Sequence, residues 1–373
     1  MFRSVCDSDA LLPAHQRTLS AIQRTAVERP QTRERLRAAL CGWLILALGA
    51  LPIGCGSGSD GGSTGGSSSG TASGSGLKVV ATTGMIGDTV KAIVGDRMTV
   101  HVLMGPGVDP HLFQPAPQDQ LQLRGAKIIF HNGLHLEGKL ADTLQSLNTG
   151  RQVIAVSRDI PQDKLLSGGA AGLHDPHIWF DLELWQTVTK TIAEVLIATQ
   201  PEHAAEFEQG RDQYLSQLAD LHQYCQQRVA QLPEPRRVLI TSHDAFRYLG
   251  RAYGLEVLGI QGISTETEAG LRKITDLADL IKSKQVPAVF PESSVPHATI
   301  ERLARDSGAK PAQELYSDAL GAPDSPAGTY LGMVKENIER IVTGLGGPPP
   351  QAAKAATDPT PAAKPSAAVK ADQ

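Results

Sequence analysis

The chain lacks a strong charge of either sign, because 35 Lys and Arg residues face 39 Asp and Glu residues and leave a formal net charge of -4. No nucleic-acid surface is therefore expected. Outside a Gly/Ser-rich stretch at 56–76, the sequence also lacks His-Glu-x-x-His, Gly-x-Ser-x-Gly and phosphate-binding-loop motifs. These absences argue against common hydrolases and against a nucleotide site in this chain.

Cysteine is scarce, with only Cys6, Cys41, Cys55 and Cys225 in 373 residues. The first two would be removed with an exported leader. A lipid on Cys55 would then leave Cys225 without a partner, so a disulfide framework is excluded. Cys225 fits the role of a small buried hydrophobic residue.

The one long uncharged apolar segment lies near the N-terminus. Residues 38–54 carry no charge and follow three arginines within 33–37. Basic residues, a short apolar core and small residues before Cys55 predict a signal peptide over 1–55. A membrane-spanning helix is the alternative, but it usually needs about 20 apolar residues and this run is shorter.

Two low-complexity stretches flank the part of the chain that can fold. Residues 56–76 are almost wholly Gly, Ser and Thr, which predicts a flexible tether. A formal dinucleotide fingerprint at 56–61 is rejected because no strand precedes it and no helix follows it. Residues 346–373 are rich in Pro, Ala and Lys and are predicted to be disordered.

Between residues 77 and 345, short apolar runs alternate with longer amphipathic ones, which predicts an α/β fold with parallel sheets. Two Rossmann-like lobes are expected, at 77–200 and 233–345. A helix over 201–232, about 45 Å long at 1.5 Å per residue, would join them rigidly. The predicted strands are 77–82, 98–103, 127–131 and 152–156 in the first lobe, and 238–241, 256–260, 288–291 and 311–315 in the second. The helices predicted in the second lobe include 269–283 and 296–307.

Three histidines lie in similar settings along this fold. Asp109-Pro110-His111 is repeated as Asp175-Pro176-His177, and His243 follows the apolar run 238–240. Each proline fixes its own φ and keeps the preceding residue extended, so the first two imidazoles would leave stiff turns. Three imidazoles at the ends of such segments predict a single metal site.

Seven longer motifs surround these histidines in a fixed order. They occupy residues 108–115, 132–137, 175–181, 242–246, 262–268, 290–296 and 328–333. Together they resemble the TroA/ZnuA-like substrate-binding lipoproteins of ABC importers, of the manganese/zinc type known as cluster A-I. The resemblance implies a metal ion in the cleft between the lobes, held by His111 and His177 from the first lobe and by His243 and Asp318 from the second.

The residues themselves leave the fourth ligand open. Glu292 also ends a predicted strand, and it could coordinate the metal or accept a hydrogen bond from a histidine N–H. His131, His135 and His174 lie near the motifs and are expected to be structural, exposed or outer partners. Asp181 and Asp244 precede amphipathic runs and are predicted helix N-caps.

The resemblance also implies the place and partners of the protein. It would be a monomer that performs no chemistry, binds Mn²⁺ or Zn²⁺, and passes it to a membrane permease driven by a cytoplasmic ATPase. It would lie in the periplasm or on the outer face of the cytoplasmic membrane, anchored by lipid at Cys55. Pro52 departs from the usual leucine of the lipidation motif.

Three alternatives remain open at this stage. A secreted zinc-dependent hydrolase could use the three histidines with Glu292 as a base. An adhesin-type surface protein is a second alternative, although no sticky apolar or repetitive face is evident. For the metal, three imidazoles suit zinc. The histidine-free segment 157–173 and the residues of the later motifs, at 262–270 and 328–333, favour manganese slightly.

Overall fold

The computed structural model describes residues 77–169 and 172–350. The predicted leader at 1–55, the tether at 56–76 and most of the C-terminal tail lie outside these residues. Within the described part, no helix is both long and apolar enough to cross a membrane.

The first lobe is built on a four-stranded parallel sheet with the order β2-β1-β3-β4. Its strands β1 and β3 are almost continuously apolar because helices cover both faces of a parallel sheet. The carboxylate of Asp181 accepts hydrogen bonds from the amides of Glu183 and Leu184, which confirms its predicted capping role. The elements are β1 (Lys78–Ala81), α1 (Gly84–Val94), β2 (Thr99–Val102), α2 (Pro117–Gly125), β3 (Ile128–His131), α3 (Ala141–Leu147), β4 (Gln152–Ala155) and α4 (Leu182–Thr199).

The second lobe repeats this arrangement. Parallel pairs β5–β6 and β7–β8 are joined by a bridge between Thr241 and Phe290, giving the spatial order β6-β5-β7-β8. Each lobe therefore places its second strand beside its first, followed by its third and fourth. The elements are β5 (Val238–Thr241), α6 (Arg247–Tyr253), β6 (Glu256–Gly259), α7 (Leu271–Lys284), β7 (Ala288–Val289), α8 (Ala298–Ser307) and β8 (Lys310–Pro311).

Three expectations for the second lobe need correction. The strand predicted at 288–291 is shorter, because beyond Val289 only the single bridge between Thr241 and Phe290 continues the pairing with β5, and Pro291 has no N–H to donate. The strand predicted at 311–315 ends at Pro311, and pairing returns only at an isolated bridge further on. Asp244 is not a cap, because α6 begins only at Arg247, after the irregular turn that carries His243.

A long helix lies between the lobes in the chain. Within the segment predicted at 201–232, a 3-10 turn at Pro201–His203 leads into α5 (Ala204–Ala230), whose apolar stripe is buried. The last helix, α9 (Tyr330–Gly344), returns to pack on α1 and α5 although the sequence assigns it to the second lobe. Arg228 of α5 binds Glu339 of α9 through two hydrogen bonds of 2.7 and 2.6 Å.

Candidate metal centre

Four side chains converge from loops that follow the carboxyl ends of strands. His111 and His177 come from the loops after β2 and β4, and His243 and Asp318 from the loops after β5 and β8. Open α/β sheets bind ligands at this edge because the loops there meet. The sequence-predicted set is thus brought together, with two side chains from each lobe.

The ligand atoms of these four residues all lie within 4.8 Å of one another, and all four residues are buried. The Nε2 atom of His177 is 3.4 Å from that of His111 and 3.3 Å from that of His243. The two oxygens of Asp318 lie 3.4 Å from the Nε2 atoms of His177 and His243. Three imidazole nitrogens and one carboxylate therefore face a common point.

These separations match what one shared ion requires. Zinc lies about 2.0–2.2 Å from nitrogen and oxygen ligands, and a tetrahedron with such bonds has edges of about 3.3–3.6 Å. The distances of 3.3 and 3.4 Å have this length, and the remaining pairs of ligand atoms lie within 4.8 Å of one another. Asp318 Oδ1 is buried and makes no hydrogen bond within the described residues. Because a buried acceptor normally has a partner, this oxygen also fits a metal ligand.

A buried carboxylate holds the back of one imidazole in each lobe. Asp175 accepts from the amide of His177 at 3.1 Å and lies 2.8 Å from its Nδ1. Glu292 accepts from the amide of His243 at 2.8 Å and lies 2.5 Å from its Nδ1. A carboxylate on Nδ1 leaves Nε2 free for a metal. Glu292 thus occupies the orienting position, and Asp318 the position among the ligand atoms.

The third histidine is tied to both lobes through Asp109. One carboxylate oxygen accepts from the amide of His111 at 2.8 Å, and the other accepts from the hydroxyl of Thr265 at 2.6 Å. The Thr265 hydroxyl lies in the second lobe, so this hydrogen bond crosses the cleft beside the ligand loop. Trp179 makes a second crossing contact, because its indole N–H donates to the Ser317 carbonyl at 2.9 Å.

The three imidazoles of the cluster differ in pKa. Burial lowers the pKa of His111 to about 4. Burial also acts to lower the pKa of His177, but the nearby carboxylates of Asp175 and Asp318 raise the pKa above the ordinary value. The pKa of His243 is raised well above its usual range because the charges of Glu292 and Asp318 outweigh burial.

The pKa of Asp318 is shifted in the opposite direction to those of His177 and His243. Burial alone would raise its pKa, but the neighbouring His243 and His177 hold the pKa of this carboxyl well below its usual range. The carboxylate is therefore ionised at neutral pH. A fixed negative charge among three imidazoles is a favourable setting for a divalent cation.

The other candidate histidines stay outside this cluster. His131 lies 3.9 Å from the buried carboxylate of Glu137. His135 is exposed and His174 is half-buried. None of the three contributes a ligand atom to the cluster formed within the described residues.

Three residues of the site, Asp109, Asp175 and Thr265, were not predicted to have a role there. The repeated Asp-Pro-His spacing brings each aspartate back onto the amide of its histidine. Thr265 lies in the motif 262–268, but its partner Asp109 is 156 residues away. Only the folded structure shows such a pairing.

The chain is similar to known metal-binding proteins. A sequence model of the family described as ZnuA, zinc-uptake complex component A periplasmic, matches residues 79–344. The manganese-binding lipoprotein MntA of Bacillus subtilis (strain 168) is 38% identical over 315 residues, covering 83% of this chain and 100% of the relative. The zinc-binding protein TroA of Treponema pallidum (strain Nichols) is 44% identical over 272 residues, covering 72% of this chain and 88% of the relative.

A solved structure shows the same architecture. The periplasmic zinc-binding protein TroA from Treponema pallidum superposes with a TM-score of 0.71 at 42% sequence identity, covering 72% of this chain and 99% of that chain. With the family model spanning most of the described residues, this chain belongs to the ZnuA family of periplasmic metal-uptake components.

Proposed function

We propose that this chain captures one divalent transition-metal ion outside the cytoplasmic membrane and delivers it to the permease of an ABC importer. His111, His177, His243 and Asp318 are the ligands, and Glu292 orients His243. The convergence of the four buried ligand groups carries this proposal. Two ligands from each lobe allow the ion to hold the cleft closed.

The donor set suits a first-row metal. Three imidazole nitrogens with one carboxylate are a donor set typical of zinc, whereas manganese prefers more oxygen ligands in octahedral geometry. The relatives include both a manganese-binding and a zinc-binding protein. We assign zinc as the tighter ligand, in contrast to the slight preference for manganese drawn from the motifs. Competition between the two ions, with metal-free protein, tests the order.

The geometry gives the hydrolase alternative no support. That mechanism needs a carboxylate free to take a proton from a metal-bound water. Both oxygens of Glu292 are engaged by the amide and Nδ1 of His243. A fourth protein ligand, Asp318, takes the position that a catalytic zinc keeps for water. The site is therefore built to hold an ion rather than to turn over a substrate.

Delivery requires partners that this chain does not supply. The permease and its cytoplasmic ATPase provide the path and the energy, and the binding protein acts as a monomer tethered by lipid at Cys55. The relative from Bacillus subtilis is named a lipoprotein. Cys55→Ala is expected to move the protein from the membrane fraction to the soluble fraction without changing metal affinity, because the tether at 56–76 separates the anchor from the fold.

Titration of metal-free protein with Zn²⁺ tests the function directly. A stoichiometry near one is expected, with large losses of affinity in His177→Ala and in His243→Ala. His203→Ala is the control, because this partly exposed residue pairs with Glu206 at the start of α5. Unchanged affinity in both site variants, or several equivalent ions bound by wild type, would refute the proposed site.

A further inference from the structure

Two cavities near the metal centre share part of their lining. The first has a volume of about 270 Å³ and is lined by His111, His135, His174 and Glu266. The second has a volume of about 530 Å³ and is lined by His131, His135, His174 and Glu137. His135 and His174 border both cavities, so two histidines outside the ligand set lie between the two cavities.

The smaller cavity reaches the metal centre through His111. This residue is 4% exposed, whereas His177 and His243 are 0% exposed and Asp318 is 2% exposed. His111 is thus the ligand most accessible from outside. An ion that crosses the smaller cavity meets His135 and His174 before it meets the enclosed ligands.

The backbone that presents His135 is strained. Gly133, Leu134 and His135 have φ values of 80°, 53° and 63°, and positive φ is costly for the two residues that carry a side chain. Nearby hydrogen bonds hold this turn. Glu137 accepts from the amide of Asn132 at 2.7 Å, and the Asn132 side chain donates to the Pro176 carbonyl at 2.9 Å.

His174 has an unusual environment of its own. Its Nδ1 atom is buried and has no hydrogen-bond partner within the described residues. A backbone bridge to Ser167 fixes the chain at this position. His174 as a whole is half-buried and lines both cavities, so part of the residue is open to an ion there although Nδ1 itself is enclosed.

We propose that His135 and His174 form a transient acceptor site for a hydrated divalent transition-metal ion on its way to His111. The inference rests on the proposed function, because it describes the route to that site. Imidazole binds first-row metals well, whereas an incomplete ligand set with one exposed member does not retain them. The pair raises the rate of capture and leaves the final affinity to the four buried ligands.

The test compares rates with equilibrium affinity. The double variant His135→Asn, His174→Gln removes both imidazoles, and asparagine tolerates the left-handed backbone at position 135. Stopped-flow mixing of metal-free protein with Zn²⁺ follows the fluorescence of Trp179, whose ring lies 5.2 Å from that of His177. Association is expected to slow on the order of tenfold, the lower end of the gain from concentrating ions in a cleft.

Dissociation should slow by the same factor, because a group on the path changes both rates and leaves Kd unchanged. His203→Gln is the control with unchanged rates, and the metal-free melting temperature verifies that the double variant folds. Unchanged association would overturn the proposal. Weaker affinity with unchanged association would also overturn it, since the pair would then hold the bound ion. No Zn²⁺ binding by wild type would instead refute the proposed function, and the route with it.

Discussion

Replacing Glu292 by glutamine tests the division of labour between the two acidic residues of the second lobe. Both oxygens of Glu292 accept hydrogen bonds, one from the amide and one from Nδ1 of His243. A glutamine keeps one acceptor and turns its NH₂ group toward one of these donors. Loss of such an outer partner typically lowers metal affinity about 10–100-fold. At 25 °C this corresponds to about 1.4–2.8 kcal/mol.

Asp318→Asn is expected to lower affinity more than Glu292→Gln. The aspartate loses a charge that directly faces two imidazole nitrogens, at 3.4 Å each. Affinities are measured by competition with a chelator of known affinity, at constant pH and with metal-free protein. Glu206→Gln is the matched control, because its exposed carboxylate also pairs with a histidine, His203, at 3.3 Å, outside the site.

The effect of Glu292→Gln also has a predicted pH dependence. The charge of Glu292 helps raise the pKa of His243, so in the wild type a proton competes with the metal ion for this imidazole. In Glu292→Gln the proton competes less strongly with the metal ion for His243. The metal affinity of the wild type divided by that of Glu292→Gln should therefore decrease as pH falls. A larger loss in Glu292→Gln than in Asp318→Asn would make Glu292 the fourth ligand and refute the assignment.

Three further outcomes are expected. Metal uptake at neutral pH should release protons, because the neighbouring carboxylates raise the pKa of His243 well above its usual range and also raise that of His177, whereas the pKa of His111 is about 4; calorimetry in buffers of different ionisation enthalpy checks this, and equal heats would contradict it. Thr265→Val removes the hydrogen bond across the cleft, worth about 1 kcal/mol, and should speed metal dissociation about fivefold in a chelator-capture assay. Glu339→Gln breaks a buried ion pair and should lower the free energy of unfolding by about 3 kcal/mol in denaturant titrations, with unchanged metal affinity.

The fold was largely predictable because its signals are local. Strands β1, β3 and β5 are short apolar runs buried on both faces, and their positions follow from composition alone. The three clustered histidines were also predictable from the sequence, because Asp-Pro-His repeats and a strand end mark loops that meet at one sheet edge. Weak strands were not, since β7 and β8 have two residues each and depend on pairing with neighbours.

The outer partners were less predictable for a different reason. Glu292 and Asp318 both follow second-lobe strands, and no local pattern says which carboxylate faces the imidazole Nδ1 and which faces Nε2. The difference depends on how far each loop reaches after its strand. The shared lining of the two cavities was not predictable either, because His135 and His174 are separated by about forty residues in the sequence.

The shared carboxylate explains why the two lobes can act as one site. Asp318 directs one oxygen to His177 of the first lobe and the other to His243 of the second, at 3.4 Å in both cases. Without an ion, this is the charge that offsets the approach of two imidazoles whose pKa values are raised. An ion that replaces their protons binds the same atoms more strongly, so metal and protons compete for the closed cleft. Under the proposed function, release of the ion to a permease requires a movement that separates Asp318 of the second lobe from His177 of the first.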